Sequence, residues 1–328
     1  MRRASSLAVA VATAALTLAA CAGMVPTPKH FPPAPTPADN EITSARFALG
    51  KKLFYDKRLS RTAEVSCASC HKQELAFADP RAVSIGVHGR SGTRNAPPLI
   101  NLAWNTSFFW DGGAKTLEQQ AIGPITNPLE MDMTMEEVVR RVNADPEYRR
   151  LSQAAYGSEP KPEIVTKGIA SFMRSLVSGT SRYDQYLQGN TGALNASERR
   201  GASIALGERG DCFHCHVGFN LTNNSFANNG LVSADPGRTK ITEKAEDEGK
   251  FKVPTLRNVA LTAPYMHDGS LATLRDVIEF YSRGGQGHPN TDPTIRPLNL
   301  SAQEKEDLLA FLGSLTDEGF TRNPHFAP

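Results

Sequence analysis

Chemistry in this chain concentrates in two short strings, Cys67-Ala-Ser-Cys70-His71 and Cys212-Phe-His-Cys215-His216. Both read C-x-x-C-H, an order that suits covalent attachment of a c-type haem. The two thiols add across the haem vinyl groups, and the next residue brings an imidazole to the iron. Two other chemistries draw on the same residue types. A structural zinc site closes a tetrahedron of four Cys and His ligands, often from paired knuckles, and neither motif has a partner pair near it in sequence. A redox dithiol needs only the cysteines and leaves the histidines unexplained. The motifs therefore predict two haem c groups, attached through Cys67, Cys70, Cys212 and Cys215 and ligated by His71 and His216.

An iron with one histidine still has a sixth position to fill. Held firmly by a side chain, the haem only passes electrons; left open, it binds a small oxidant. Eight His and seven Met are present, and their spacing alone does not choose among them.

Four of the five cysteines belong to the motifs, so none remains for a structural disulfide. The fifth, Cys21, ends Leu18-Ala19-Ala20-Cys21, after a basic start and an alanine-rich apolar run too short to span a bilayer. That pattern predicts a lipoprotein signal peptide over 1–20, export to the periplasm and a lipid anchor on Cys21, the alternative being ordinary cleavage nearby. Six prolines between Pro26 and Pro37 predict an extended, solvated tether over 21–40. Net charge is +2, which points to neither nucleic acid nor an electrostatic membrane patch.

The remaining pattern is helical. Thr134-Met-Glu-Glu137 and Ser301-Ala-Gln-Glu304 read as capping boxes, the second opening a run with Leu308, Leu309, Phe311, Leu312 and Leu315 on one face. Phe47-Ala-Leu-Gly50 before the first motif and Arg200-Gly201-Ala-Ser before the second form a weak internal repeat. The expected fold is mainly α, with little strand and long loops. It comprises two cytochrome c-like haem domains, 41–190 and 191–328, joined at an interface.

Longer strings carry a resemblance. Asn95-Ala-Pro-Pro, Phe109-Trp110-Asp111-Gly112, Leu117-Glu118-Gln119-Gln120-Ala121, Gly123-Pro124 and Asn127-Pro128-Leu129-Glu130-Met131 come first. Val253-Pro254-Thr255-Leu256-Arg257-Asn258-Val259 and Leu261-Thr262-Ala263-Pro264-Tyr265-Met266-His267 follow. In that order they resemble the bacterial dihaem cytochrome c peroxidase and MauG superfamily. The resemblance implies that the first haem binds peroxide and the second stores electrons. It matches Glu130 to an acid/base carboxylate and Gln120 to a distal-side residue. Taken alone, Glu130 reads as a solvated loop acid and Gln120 equally well as a packing residue. Trp110 matches a tryptophan between the haems, which an isolated reading would leave as core; Trp104 has no match and is read as core. Asn95, Thr262 and Pro264 match a calcium site, whose oxygen ligands suit a hard cation.

Three places depart from the peroxidase pattern. Where those enzymes usually carry a Met ligand to the second haem, this chain has Tyr281, as in the MauG branch, with Met266 as the rival ligand. A phenolate favours oxidised iron and a thioether the ferrous form. His88 falls one residue from the position of the loop histidine that blocks the first haem at rest, so an open first haem is expected. Gly210 and Asp211 stand where some MauG-like enzymes carry a surface Trp before the second motif. The resemblance implies a peroxidase that takes electrons from a small c-type cytochrome or copper protein and reduces hydrogen peroxide. The alternatives are a MauG-like oxidase of another protein or small molecule, or a plain dihaem electron carrier.

Overall fold

The computed structural model describes residues 27–328. Cys21, the expected signal peptide and residues up to 26 lie outside that range. The first half contributes α1 (Ser44–Tyr55), α2 (Cys67–Cys70), α3 (Leu117–Thr126), α4 (Met135–Asn143), α5 (Pro146–Tyr156) and α6 (Pro162–Arg174). The second contributes α7 (Arg182–Leu187), α8 (Ala196–Ala205), α9 (Thr239–Thr242), α10 (Leu274–Ser282), α11 (Ala302–Ser314) and α12 (Glu318–Thr321). The one sheet among the described residues pairs β1 (Phe226–Ala227) with β2 (Phe251–Lys252), antiparallel. The fold is mainly α with long loops, as expected.

Side-chain caps start most of the longer helices. Ser301 and Glu304 form the full reciprocal box at α11, Ser301 N donating to Glu304 Oε2 at 2.8 Å. At α4 only half of the expected box forms. Thr134 accepts from Glu137 N, but the Glu137 carboxylate instead takes both oxygens to Arg61, at 2.8 Å each. A nearby guanidinium outcompetes a backbone N–H for a carboxylate.

The internal repeat has a packing cause. Gly50 lies where α1 crosses α6, and a Cβ there would sit 1.9 Å from the Gly168 carbonyl oxygen. Gly201 does the same where α8 crosses α11, 1.9 Å from the Asp307 carbonyl oxygen. Each half is thus organised by one close helix crossing that only glycine permits. Phe47, Leu53, Phe54, Phe77 and Phe172 fill the first core; Tyr183, Leu308, Phe311 and Leu315 fill the second.

Three expected boundaries shift. Tyr183 on α7 packs in the second core, so the division falls before α7 rather than at 190. The last residues do not stay with the second half, because Phe320 and Phe326 enter the first core. There the Tyr55 hydroxyl donates to the Phe326 carbonyl at 2.8 Å and His325 stacks on Phe47. From residue 27 onward the tether expected over 21–40 is pinned to the body at Phe31 and Asn40, while Pro32, Pro33 and Pro35 between them stay exposed. Phe31 is buried against Trp104 and Phe219, with the Arg257 guanidinium 4.6 Å above its ring. His30 Nε2 lies 2.8 Å from Asp184, and the buried Asn40 side chain bonds Glu118, Lys167, Tyr156 and Ser171. The prolines stiffen this strap, but one aromatic and one amide find complete pockets on the body. Trp104, read as core, is half-buried in this aromatic cluster.

Gly50→Ala and Gly201→Ala should each cost about 3 kcal/mol, the upper end for overpacking, because backbone rather than a flexible side chain blocks the new methyl. Gly313→Ala, in α11 with open space around it, should be neutral or stabilising by ~0.5–1 kcal/mol. Thermal denaturation followed by circular dichroism of the three variants checks both directions.

Candidate functional site

The first motif forms the single turn α2, with His71 N–H bonded to the Cys67 carbonyl at 3.0 Å. His71 Nδ1 lies 2.7 Å from the Phe77 carbonyl oxygen. A carbonyl only accepts, so Nδ1 carries the proton and Nε2 is left bare for a metal. Ala76 and Phe77 are both left-handed (φ +53° and +60°), which turns that carbonyl back onto the ring. The second motif repeats the device. His216 Nδ1 meets the Leu221 carbonyl at 3.1 Å, and Leu221 has φ +49°. Nothing in the residue types at 77 or 221 announces this role.

A cavity of about 560 Å³ opens in front of the first motif. Cys70, His71, Gln120 and Glu130 line it from the first half, and Lys252, Pro254 and Thr255 from the second. A smaller space of about 50 Å³ continues past Cys67 toward Phe54 and Met173. Gln120 reaches the wall from α3, where Pro124 removes the N–H that would bond the Gln120 carbonyl.

Glu130 is held by a turn that begins at Asn127. Its N–H bonds the Asn127 carbonyl at 3.0 Å, and its Oε1 accepts from Asn127 Nδ2 at 2.7 Å. Burial raises the carboxyl above the ordinary glutamate value, and the Asn127 bond opposes that shift only in part. The loop at 84–91 is clamped on the same turn: Val87 N–H bonds the Glu130 carbonyl at 2.8 Å, and a Cβ on Gly86 would strike the Leu129 carbonyl. At its tip His88 is exposed, with φ +57°.

Trp110 is fastened at both ends. Its indole N–H donates to the Asn95 carbonyl at 2.8 Å, and its own carbonyl accepts from Lys252 N–H at 2.7 Å. Arg94 adds ion pairs to Asp111 (2.5 Å) and Asp235 (2.6 Å) across the same seam. Asn95 N–H bonds the His267 carbonyl at 2.7 Å, which brings Asn95 to the segment carrying Thr262 and Pro264. The Asn95 amide nitrogen donates to the Arg81 and Ala82 carbonyls. That orientation leaves Oδ1 as a free oxygen donor, which fits a hard cation.

Around the second motif, Tyr281 on α10 is half-buried near Cys212 and Cys215; desolvation chiefly, with those thiols adding, pushes its phenol up to about 12. Asn229 Nδ2 lies 3.3 Å from both Tyr281 Oη and Met266 Sδ. The two rival ligands therefore share one amide. Asn127, Asn229, Phe77, Leu221 and Lys252 all escaped the sequence reading, and only Asn127 left a trace there, as the first residue of Asn127-Pro-Leu-Glu130.

The donor set fits covalent haem better than the two rival chemistries. Among the described residues, the one metal-sized cluster of His, Cys, Asp and Glu is Glu208, Asp211 and His214. It contains no motif cysteine and neither His71 nor His216, so no zinc tetrahedron assembles on the motifs. Burial pushes Cys67 up to about 12 and Cys212 up to about 11, opposite to the depressed values of reactive dithiols. All four motif thiols are free, and each motif carries one imidazole nitrogen ready for iron.

Comparison with known proteins agrees with this geometry. The sequence profile of the di-haem cytochrome c peroxidase family matches residues 44–192. The chain is 40% identical over 289 residues to the methylamine utilization protein MauG of Methylorubrum extorquens, covering 87% of this chain and 82% of that one. It is 36% identical to the cytochrome c551 peroxidase of Pseudomonas aeruginosa, over 84% and 80% of the two chains. The crystal structure of a MauG-like protein associated with microbial copper homeostasis superposes with a TM-score of 0.86 at 40% identity, covering 92% of this chain and 97% of that one. With two C-x-x-C-H sites built on one helical scaffold, this chain belongs to the dihaem cytochrome c peroxidase and MauG family, whose members carry two haem c groups.

Proposed function

We propose that the protein is an exported, periplasmic peroxidase that reduces hydrogen peroxide to two waters, using two protons and two electrons from a small c-type cytochrome or copper protein. One observation carries this reading: Glu130, a carboxyl with a raised proton affinity, shares the cavity wall with His71 and Cys70. A plain electron carrier has no use for an acid there. Anchoring through Cys21 would keep the enzyme beside its donor.

Bound haem supplies the iron that takes peroxide and accepts its oxidising equivalents. The chain's residues manage the protons. Asn127 occupies Glu130 Oε1, so Oε2 is the atom free to take a proton from peroxide and return it to the departing oxygen. Gln120, on the same wall, orients the oxidant. The exposed position of His88, with its loop clamped to the Glu130 turn, supports a first site that is open at rest. Trp110 relays electrons across the seam that its two hydrogen bonds define. Asn95, Thr262 and Pro264 would hold a calcium ion that stiffens this seam.

Tyr281 is the proposed sixth ligand of the second haem, on its position near both motif thiols, with Met266 the rival. Tyr281 also favours a second reading, a MauG-like oxidation of another protein or small molecule. The surface-Trp route to a protein substrate finds no support, since a Cβ at Gly210 would lie 2.4 Å from the Ile204 carbonyl.

Glu130→Gln should lower peroxide turnover by about 10²–10⁴-fold, the usual worth of a positioned acid/base group, with both haem spectra intact. Unchanged turnover would remove the role of Glu130. In the parent enzyme kcat/KM for peroxide should fall as pH drops, because a protonated Glu130 cannot accept. The limb should lie above the ordinary value of 4.5 and vanish in E130Q.

Tyr281→Met should raise the midpoint of the second haem by on the order of 100 mV or more, within the range axial ligands command. Low-temperature EPR of the ferric protein should show a high-spin first haem. A low-spin signal with two axial histidines there would overturn the open site.

A further inference from the structure

Lys252 is the one cation on the wall of the 560 Å³ cavity without an anionic partner among the described residues. The other two are satisfied: Arg94 pairs with Asp111 and Asp235, and Lys240 with Asp235 at 3.2 Å. No carboxylate lies within ion-pair distance of the Lys252 ammonium, and burial alone, with no charge opposing it, lowers the group to about 8. Lys252 is half-buried on this wall, and a partly desolvated cation left without a counter-ion is costly, so such groups persist where an anion completes them. The backbone around Lys252 is rigid. Its N–H bonds the Trp110 carbonyl, and β2 pairs it with Phe226.

The anion class follows from the cavity. It abuts Cys70 and His71, and the family carries haem c on this motif. The only anionic groups of a haem are its two propionate carboxylates. We propose that the Lys252 ammonium, supplied by the second half of the chain, pairs with a propionate of the haem on the first motif. The inference rests on haem occupying this cavity and is independent of whether peroxide is the substrate. The ion pair would neutralise a negative charge close to the first iron, which favours the ferrous form. It would also set the first haem's potential from the strand that carries the Trp110 seam, so that a displacement of β2 changes both the potential and the electron path.

The test is a spectroelectrochemical titration of the holoprotein without peroxide, comparing the parent with K252Q, K252M and K252R. In K252Q and K252M the midpoint of the first haem should fall by the equivalent of a 10-fold change in ferric:ferrous ratio, about 59 mV for one electron. The second haem should be unmoved, and K252R should stay within about 2-fold of the parent. An unchanged first midpoint in both neutral variants overturns the proposal, as does an equal fall in K252R. With acetate added as a further arm, a reversible shift of the first midpoint in the parent that is absent from K252Q would instead identify a free carboxylate as the partner, and also overturns it. Should neither neutral variant load two haems, resonance Raman of the parent decides: a propionate bending mode at the hydrogen-bonded frequency supports the pair, and free-carboxylate frequencies at both haems refute it. Loss of turnover in E130Q with unmoved midpoints in K252Q would leave the peroxidase reading intact and sink this one alone.

Discussion

The backbone hydrogen bond from Lys252 to Trp110 is the constraint on which the rest of the site depends. It joins a strand of the second half to the aromatic loop of the first, and it makes one cavity out of walls from both. Arg94, bridging Asp111 and Asp235, adds two ion pairs beside that bond. Without the seam, each half would retain its own helix crossing and its own thiols. Glu130 and the second-half wall would no longer face the same space.

Around the seam the chain uses the same solution twice. A glycine lets two helices cross at backbone contact, and a left-handed residue five or six positions past the motif histidine turns a carbonyl onto its ring. The first device places the motif on a rigid base; the second chooses the tautomer and aims Nε2. The environments beyond these devices then diverge. The first motif faces a roomy cavity with an acid on its wall, and the second faces a half-buried phenol and a thioether that share one amide. Two copies of one attachment site thereby stand in different surroundings.

The N-terminal strap and the C-terminal tail act as clasps across this arrangement. Phe31 inserts beside Trp104 and Phe219 below a fully buried Arg257–Asp184 pair, and His30 reaches the same carboxylate. Breaking one partner of such a buried pair leaves an uncompensated charge, so the strap contributes to fixing the halves as well as leading away from them. Phe320 and Phe326 close the first core from the far end of the sequence.

The sequence by itself determined the attachment chemistry, the helical class and the family, because C-x-x-C-H, capping residues and apolar periodicity are local patterns. It also exposed Gly50 and Gly201 as a repeat, though not as crossings. Only the tertiary structure decided which groups share a space. Asn127 against Glu130, Asn229 between Tyr281 and Met266, and Lys252 facing the first cavity are meetings of residues whose types are ordinary in isolation. The docked strap belongs with these, since a proline-rich run looks solvated until Phe31 finds a pocket built by distant residues. Local spacing records what a residue can bond to; only packing decides what it is brought beside, and that decides its proton affinity and its role.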